Sequence, residues 1–184
     1  HFAIIYRYYM KAIVGYHGVC REAQLATLER QLSSPVVGPD PIFLTGPAST
    51  GKTLIVRHAL ENYDGGVYVY LDCVQCCTSP SLFRMLSKKL TRALKGQRKT
   101  SSKNVLVKYR GVTNASNFMS YMKDILPGDV RVWIVLDNVD RVCRQGVLPV
   151  LDRVSEVLGV DIGLILLSQF PWTSGMFTER YSRG

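Results

Sequence analysis

Short apolar runs alternate along the chain with longer amphipathic segments. The apolar runs predict strands over residues 42–44, 67–72, 132–137 and 162–168. The last two runs are continuously apolar, which is typical of a strand that is covered on both faces of a parallel sheet. Amphipathic spacing predicts helices over residues 19–32, 53–62, 81–94, 116–126 and 148–158. This alternation indicates an α/β fold with a parallel sheet, whose ligand site lies at the carboxyl ends of the strands.

A glycine-rich loop joins the first predicted strand to the helix that follows it. Its residues are Gly46, Pro47, Ala48, Ser49, Thr50, Gly51, Lys52 and Thr53, in the phosphate-binding pattern G-x-x-x-x-G-K-T. The glycines let backbone N–H groups point at phosphate oxygens. Lys52 supplies a positive charge and Thr53 a hydroxyl ligand for Mg²⁺. Because a strand precedes the loop and a helix follows it, we predict a site for ATP and Mg²⁺ rather than a chance glycine-rich turn.

Polar residues end the two continuously apolar strands. Asp137 fits the Walker B acid, which is the second Mg²⁺ ligand beside Thr53. Ser168 ends the next strand, where a polar side chain can reach the γ-phosphate or the attacking water. Plainer interpretations exist, because Asp137 can cap the turn that follows it and a strand-end serine is often a turn former. The strand context favours a nucleotide-binding role for both residues.

Asn138 stands directly after the Walker B acid, where hydrolysing ATPases of this kind carry a glutamate as general base. An amide cannot accept a proton from water, and loss of a general base costs about 10²–10⁴ in rate. Asp140 would need an unusual backbone path to replace it. We therefore expect ATP to bind with weak or absent hydrolysis, as a structural ligand, and we assign no catalytic residue.

Positive charge is concentrated in the middle of the chain. Between Cys73 and Lys123 there are eleven Lys and Arg residues and no Asp or Glu, although the net charge of the whole chain is only +9. A local field of this kind favours a polyanion such as DNA. The candidate contacts are Arg98, Lys99 and Lys103, in a polar insertion around residues 95–114. A solvated insertion without a partner is the alternative.

The cysteines and the apolar runs limit the other classes of protein. Five cysteines are an odd number, which does not suit a disulfide framework and fits a reducing compartment. Cys73 and Cys76 have the Cys-x-x-Cys spacing of a zinc or redox site, but no second pair accompanies them, so we favour a structural strand end. No apolar run reaches the length of a membrane helix.

Taken in order, these motifs resemble the AAA+ initiator family, and within it subunit 5 of the origin recognition complex. The resemblance covers residues 18–172. It is carried by a Cys-Arg-Glu box at residues 20–22, the phosphate loop, the Leu-Asp-Cys-Val-Gln-Cys run at 71–76, the strand that ends at Asp137, and Ser168 with Trp172. The Cys-Val-Gln-Cys run is the most particular of these signals.

The resemblance implies a fold and a set of partners. The fold is an AAA+ P-loop NTPase base domain over residues 18–184, with a parallel five-stranded sheet flanked by helices, after an N-terminal extension over residues 1–17. The helical lid and the winged-helix domain of initiators are not expected within this chain. The implied partners are the other origin recognition complex subunits in a hetero-oligomeric ring and double-stranded DNA, and the implied location is the nucleus.

Other assignments stay open at this point. Arg180 and Arg183 are candidates for an arginine finger that acts on a neighbouring subunit, whereas Arg141 and Arg144 fit a solvated or DNA-facing position better. An actively hydrolysing AAA+ ATPase of clamp-loader or signalling type is the alternative function, and it would depend on Asp140. A small-molecule kinase would need a phosphoacceptor motif that the sequence does not show.

Overall fold

The structure is a computed structural model that describes residues 21–34, 41–76, 78–95, 111–126, 130–142 and 146–170. The helices are α1 (Glu22–Leu32), α2 (Lys52–Glu61), α3 (Ser79–Lys95), α4 (Ala115–Ile125) and α5 (Leu148–Leu158). The strands are β1 (Ile42–Thr45), β2 (Val67–Asp72), β3 (Val132–Asp137) and β4 (Ile162–Ser168). Short 3₁₀ turns follow β2 and β3, over Cys73–Gln75 and Val139–Arg141. The predicted alternation of strands and helices is therefore confirmed.

The four strands form one parallel sheet in the order β1-β4-β3-β2. Each connection brings the chain back to the end of the sheet where the previous strand began. The carboxyl ends of all four strands therefore lie together at the other end. The expected fifth strand is absent from the part of the chain that the structure describes, and on that point the prediction was wrong. Four apolar runs were predicted as strands from the sequence, and the fifth strand was implied by the resemblance alone.

Side chains of the sheet alternate between two apolar layers. Val132, Ile134 and Leu136 of β3 face the layer that contains α3, α4 and α5. Trp133 and Val135 face the opposite layer, which contains α1 and α2. Both β3 and β4 are buried along their whole length. The continuous apolar runs in the sequence therefore reflect strands that are covered on both faces.

Trp133 of β3 lies directly across from Gly163 of β4 in the strand register. The indole ring covers the glycine so closely that a Cβ atom at position 163 would overlap it. Trp133 is only 2% exposed, so its ring has little room to move away. The close approach of β3 and β4 at this point therefore requires a glycine at position 163.

The buried side of α3 is held by a polar contact to α4 as well as by apolar packing. The Tyr121 hydroxyl donates to the Ser87 carbonyl oxygen at 2.7 Å, and the Thr91 hydroxyl donates to the same oxygen at 2.8 Å. The Tyr121 and Thr91 hydroxyls also contact each other. Burial raises the pKa of Tyr121 to about 12, against a smaller opposing effect of the Thr91 hydrogen bond. These bonds fix which side of α3 faces the core.

Candidate nucleotide-binding site

The phosphate loop leaves β1 and enters α2 through an unusual backbone path. Gly46, Ser49 and Gly51 have φ angles of 149°, 61° and 84°. A positive φ at three positions curls the chain, and a loop curled in this way can present its backbone N–H groups to an anion. Gly51 is the N-cap of α2, and its carbonyl oxygen accepts from the Ile55 N–H at 3.0 Å. The N-terminus of α2 therefore lies directly at the loop, as an anion site requires.

The Lys52 ammonium is held by the loop itself. Its Nζ donates to the carbonyl oxygens of Gly46 and Pro47, at 2.7 Å and 2.8 Å. The Thr50 hydroxyl also donates to the Pro47 carbonyl oxygen, at 2.9 Å. These bonds concentrate the positive charge of Lys52 at the mouth of the loop. An anion at the loop would meet both this charge and the end of the α2 dipole.

Thr53 and Asp137, the two residues that the sequence predicts as magnesium ligands, are in direct contact. The Thr53 hydroxyl donates to Asp137 Oδ2 at 2.7 Å, although the two residues lie 84 positions apart in the chain. Asp137 is only 6% exposed, whereas Thr53 is half-buried. A hydroxyl and a carboxylate beside a phosphate loop suit Mg²⁺, which prefers oxygen ligands and shares its coordination with substrate phosphates. The residues present therefore fit Mg²⁺ and a nucleotide triphosphate.

Tyr70 is a third partner of this pair, and sequence reasoning missed it. The Tyr70 hydroxyl donates to Asp137 Oδ2 from the neighbouring strand. The Arg57 guanidinium lies over the Tyr70 ring, 4.6 Å from its centroid. Burial and the bond to Asp137 raise the pKa of Tyr70 far above its usual value, while Arg57 acts in the opposite direction. Tyr70 thus remains a donor that orients the Asp137 carboxylate.

Asn138 is fixed by a carboxylate on the adjacent strand. Its side-chain amide donates to Asp72 Oδ1 at 2.9 Å, and its backbone N–H donates to Asp137 Oδ1 at 2.9 Å. Asn138 adopts a left-handed conformation with φ of 54°. Asp72 also caps the 3₁₀ turn through the Val74 N–H, at 3.0 Å. The strand ends therefore carry an amide on β3 and a carboxylate on β2.

Ser168 and Asp140 also meet at this edge of the sheet. The Ser168 hydroxyl donates to Asp140 Oδ1, and the Gln169 N–H donates to Asp140 Oδ2 at 3.0 Å. The Phe170 N–H donates to Ser168 Oγ at 3.0 Å, and Ser168 is 1% exposed. Asp140 is therefore engaged with the end of β4 through both of its oxygens. A contact between Ser168 and the nucleotide stays a prediction.

A cleft of about 560 Å³ lies beside the loop, between α1 and β1. Lys52 and Thr45 border it at the phosphate end, and Leu28 and Ile42 contribute apolar surface. Its size falls in the range of small-molecule sites, which are commonly apolar with a few polar groups. Helix α1 precedes the loop in the sequence and forms one wall of this cleft.

The cysteines favour a structural role over a metal or redox role. Cys73 and Cys76 are 1% and 0% exposed, and the Cys76 sulfur contacts Met85 Sδ at 3.3 Å. Burial raises the pKa of Cys73 well above that of a free thiol, which disfavours the thiolate that metal binding requires. Cys73 and Cys76 therefore behave as small apolar residues at the end of β2.

Several predicted residues lie outside the described ranges. They are Cys20, Cys77, Arg98, Lys99, Lys103, Cys143, Arg144, Trp172, Arg180 and Arg183. The N-terminal extension over residues 1–17 is outside these ranges as well. Within the described ranges, no helix has the length and the apolar character needed to cross a membrane.

The chain belongs to a known family of nucleotide-binding domains. The profile of the AAA ATPase domain matches residues 18–147, which is more than half of the chain. The predicted α/β fold with a parallel sheet and flanking helices is thereby confirmed as an AAA ATPase domain.

Two curated relatives connect the chain to replication initiators. It is 28% identical over 166 residues to origin recognition complex subunit 5 of Drosophila melanogaster, covering 83% of this chain and 33% of that protein. It is 26% identical over 175 residues to ORC1-type DNA replication protein 9 of Haloarcula marismortui, covering 88% of this chain and 40% of that protein. The resemblance to subunit 5 is thus confirmed, and the chain spans two fifths or less of these relatives.

Solved structures show the same fold at low sequence identity. A chain of the Drosophila origin recognition complex bound to DNA matches with a TM-score of 0.64 and 24% identity, over 88% of this chain and 40% of that one. The Orc1 protein of Aeropyrum pernix in complex with DNA matches with a TM-score of 0.55 and 18% identity, over 89% and 42%. A Walker-type ATPase of Pyrococcus abyssi matches with a TM-score of 0.58 and 17% identity, over 80% and 44%.

Proposed function

We propose that this chain is the ATP-binding base domain of an initiator subunit like subunit 5 of the origin recognition complex. The carrying observation is the Thr53–Asp137 pair, placed beside Lys52 at the N-terminus of α2. Lys52 and the loop N–H groups would bind the β and γ phosphates of ATP. Thr53 and Asp137 would hold the accompanying Mg²⁺, which neutralises phosphate charge when it is bound.

The bound ATP stabilises the domain and its subunit contacts and is not a substrate for rapid hydrolysis. Asn138 stands where a general base would act, and its amide is committed to Asp72. The Asp140 carboxylate accepts from Ser168 and from the Gln169 N–H, so it does not take the place of that base. A ligand that binds only the folded state stabilises it by mass action.

The proposed partners are the other subunits of a ring-shaped initiator and double-stranded DNA, in the nucleus. Two observations support this part. Relatives of the same fold are initiator proteins whose structures contain DNA. The segment between Cys73 and Lys123 is basic and contains no acidic residue. Arg98, Lys99 and Lys103 are the proposed contacts of the insertion with phosphates, and Ser168 is a further proposed contact of the nucleotide.

The test uses the full-length subunit in its assembled complex. Nucleotide occupancy and phosphate release are measured for the wild-type complex and for Lys52→Ala, with Lys123→Ala as a control that removes one exposed lysine far from the loop in sequence. We expect the wild type to retain Mg-ATP with slow turnover. Lys52→Ala should lose the nucleotide and weaken assembly, because the phosphates lose their charged donor.

Three outcomes would contradict the proposal. An empty site at millimolar ATP in the wild type would remove nucleotide binding. Rapid phosphate release that Asp140→Asn abolishes would favour the actively hydrolysing alternative, since that alternative needs Asp140 as its base. Unchanged assembly in Lys52→Ala would show that the subunit contacts do not depend on the nucleotide.

A further inference from the structure

We propose that the outward side of α3 is a docking surface for the phosphate backbone of double-stranded DNA. Four exposed residues define this surface, which we call the basic stripe: Arg84, Lys88, Arg92 and Lys95. The inference relies on the proposed function only for the identity of the polyanion. The stripe does not include the insertion residues Arg98, Lys99 and Lys103, and it lies on a helix that packs against β2 and α4.

The rotation of α3 about its axis is set by its buried side. Leu82, Leu86, Leu90 and Leu94 are each at most 3% exposed. Phe83 packs against Phe118 of α4, with ring centroids 5.0 Å apart. Residues three or four positions apart lie on the same side of a helix, so burial of one set turns the other set to solvent. The basic stripe is therefore presented outward by the packing of the core.

The stripe has the length and spacing of a phosphate-tracking surface. Its members follow one another at intervals of four, four and three residues, which places them in one row along the helix. With a rise of about 1.5 Å per residue, the row from Arg84 to Lys95 is roughly 16 Å long. Duplex DNA carries one phosphate charge per roughly 1.7 Å of its axis, so several phosphates lie within reach of such a row.

No acid competes for these cations in the described residues. Helix α3 contains no Asp or Glu, and none of the four stripe residues takes part in an ion pair within the described ranges. By contrast, Arg131 at the opposite end of the sheet is paired with Asp161 at 2.7 Å. The unneutralised charge gives the stripe an attractive field for a polyanion.

The chemistry of α3 favours nucleic acid over an anionic membrane. A helix that lies on a membrane places Leu, Phe or Trp on the side that meets the lipid, with basic residues at its border. In α3 the leucines and Phe83 are buried in the core. The exposed side therefore offers charge without an apolar surface. In sequence, the stripe is followed by the basic residues Arg98, Lys99 and Lys103 of the insertion.

The experiment measures duplex binding by the assembled complex between about 50 and 200 mM salt. The stripe variant is Lys88→Gln/Arg92→Gln, because glutamine keeps the helix propensity of these positions. The matched control is Arg30→Gln/Lys123→Gln, which removes the same charge from the exposed last turns of α1 and α4. Each lost phosphate contact should reduce the slope of log K against log salt by about 0.9. We expect a reduction of about 1.8 for the stripe variant and a nearly unchanged slope for the control.

Equal slopes in the stripe variant and the control would overturn the inference. Loss of binding to phosphatidylserine vesicles, with duplex binding unchanged, would assign the stripe to a membrane instead. A wild-type complex that does not bind duplex at all would contradict the proposed DNA role itself, which separates the two failures. Thermal melting and Mg-ATP binding serve as folding checks, and Arg84→Gln/Lys95→Gln supplies a second pair if the first variant does not fold.

Discussion

The phosphate-loop site and the basic stripe of α3 use charge in opposite ways. At the site, Asp137 accepts hydrogen bonds from Thr53 and Tyr70. Asp72 accepts one from Asn138, so each carboxylate is oriented by at least one side-chain donor. On the stripe, four cations project outward without such partners in the described residues. ATP binding at the site should therefore depend on the identity of single polar atoms. Duplex binding by the stripe should depend on its total charge.

The largest effect should come from exchanging the amide and the carboxylate at the ends of β2 and β3. In Asp72→Asn/Asn138→Glu, a carboxylate stands in the general-base position and an amide donates to it from β2. We predict an increase in ATP turnover of at least ten-fold, approaching the 10²–10⁴ that a general base contributes. Phosphate release by the assembled complex is the measurement.

The single variant Asn138→Glu is the control for this exchange. It places a second carboxylate against Asp72, and like charges at this distance oppose each other. Its gain should be smaller than that of the double variant, and its thermal stability lower. If both variants hydrolyse ATP at the wild-type rate, the position of Asn138 does not limit hydrolysis.

Removing the shared acceptor at Asp137 should have the next largest effect. Asp137→Ala removes a proposed Mg²⁺ ligand and leaves the Tyr70 and Thr53 hydroxyls without their acceptor. We predict that Mg²⁺-dependent ATP affinity falls about 10- to 100-fold, which corresponds to the ~1.5–3 kcal/mol of a hydrogen bond to a charged group. Titration with ATP in the presence and absence of Mg²⁺ measures the change.

Tyr70→Phe is the matched variant for this second prediction. It removes the Tyr70 hydrogen bond to Asp137 but leaves the carboxylate in place. The free energy of unfolding should fall by about 1 kcal/mol, while ATP affinity in Mg²⁺ changes little. An equal loss of ATP affinity in both variants would make Tyr70, rather than the metal ligand, the source of the effect.

The third prediction has a smaller expected effect: paired substitutions should act additively on the basic stripe and non-additively at the phosphate-loop site. Arg84 and Arg92 lie roughly 12 Å apart along α3, so their effects on duplex binding should add within about 0.5 kcal/mol. Thr53 and Asp137 are in contact, so a double-mutant cycle on ATP binding should give a coupling of about 0.5–3 kcal/mol. Strong coupling between Arg84 and Arg92, or no coupling between Thr53 and Asp137, would show that the two regions do not differ in this way.

The smallest predicted effect concerns Tyr121, whose hydroxyl bonds to α3 on the side opposite the stripe. Tyr121 has a folded-state pKa of about 12, above the unfolded value near 10, so its contribution to stability is present below pH 10 and lost towards pH 12. Tyr121→Phe should cost about 1 kcal/mol at neutral pH through the lost bond to Ser87. The difference from the wild type should shrink between pH 10 and 12, as chemical unfolding at several pH values would show.

Local sequence signals predicted the strands and helices well, whereas the roles of the candidate site residues stay predictions. The strands 67–72, 132–137 and 162–168 and the helix 148–158 were predicted with the bounds that the structure has. The phosphate loop was found because its function depends on consecutive residues. The Asp137 position followed from a strand end beside that loop.

The missed contacts depend on which strands become neighbours. Tyr70 and Asp72 meet Asp137 and Asn138 only because β2 pairs in register with β3, and chain order alone does not set that pairing. The engagement of Asp140 with Ser168 likewise requires β4 beside β3. Alternation along β2 could have shown that Tyr70 and Asp72 share one face, but not what they face.

Gly163 has a consequence for the site at the far end of its strand. The Trp133 indole occupies the space that a side chain at position 163 would fill. Even one methyl group there would force β3 and β4 apart or out of step, and Asp137 would shift relative to Ser168. The spacing between Asp137 and Ser168, the proposed metal ligand and the proposed nucleotide contact, therefore depends on the absence of one carbon atom several residues away.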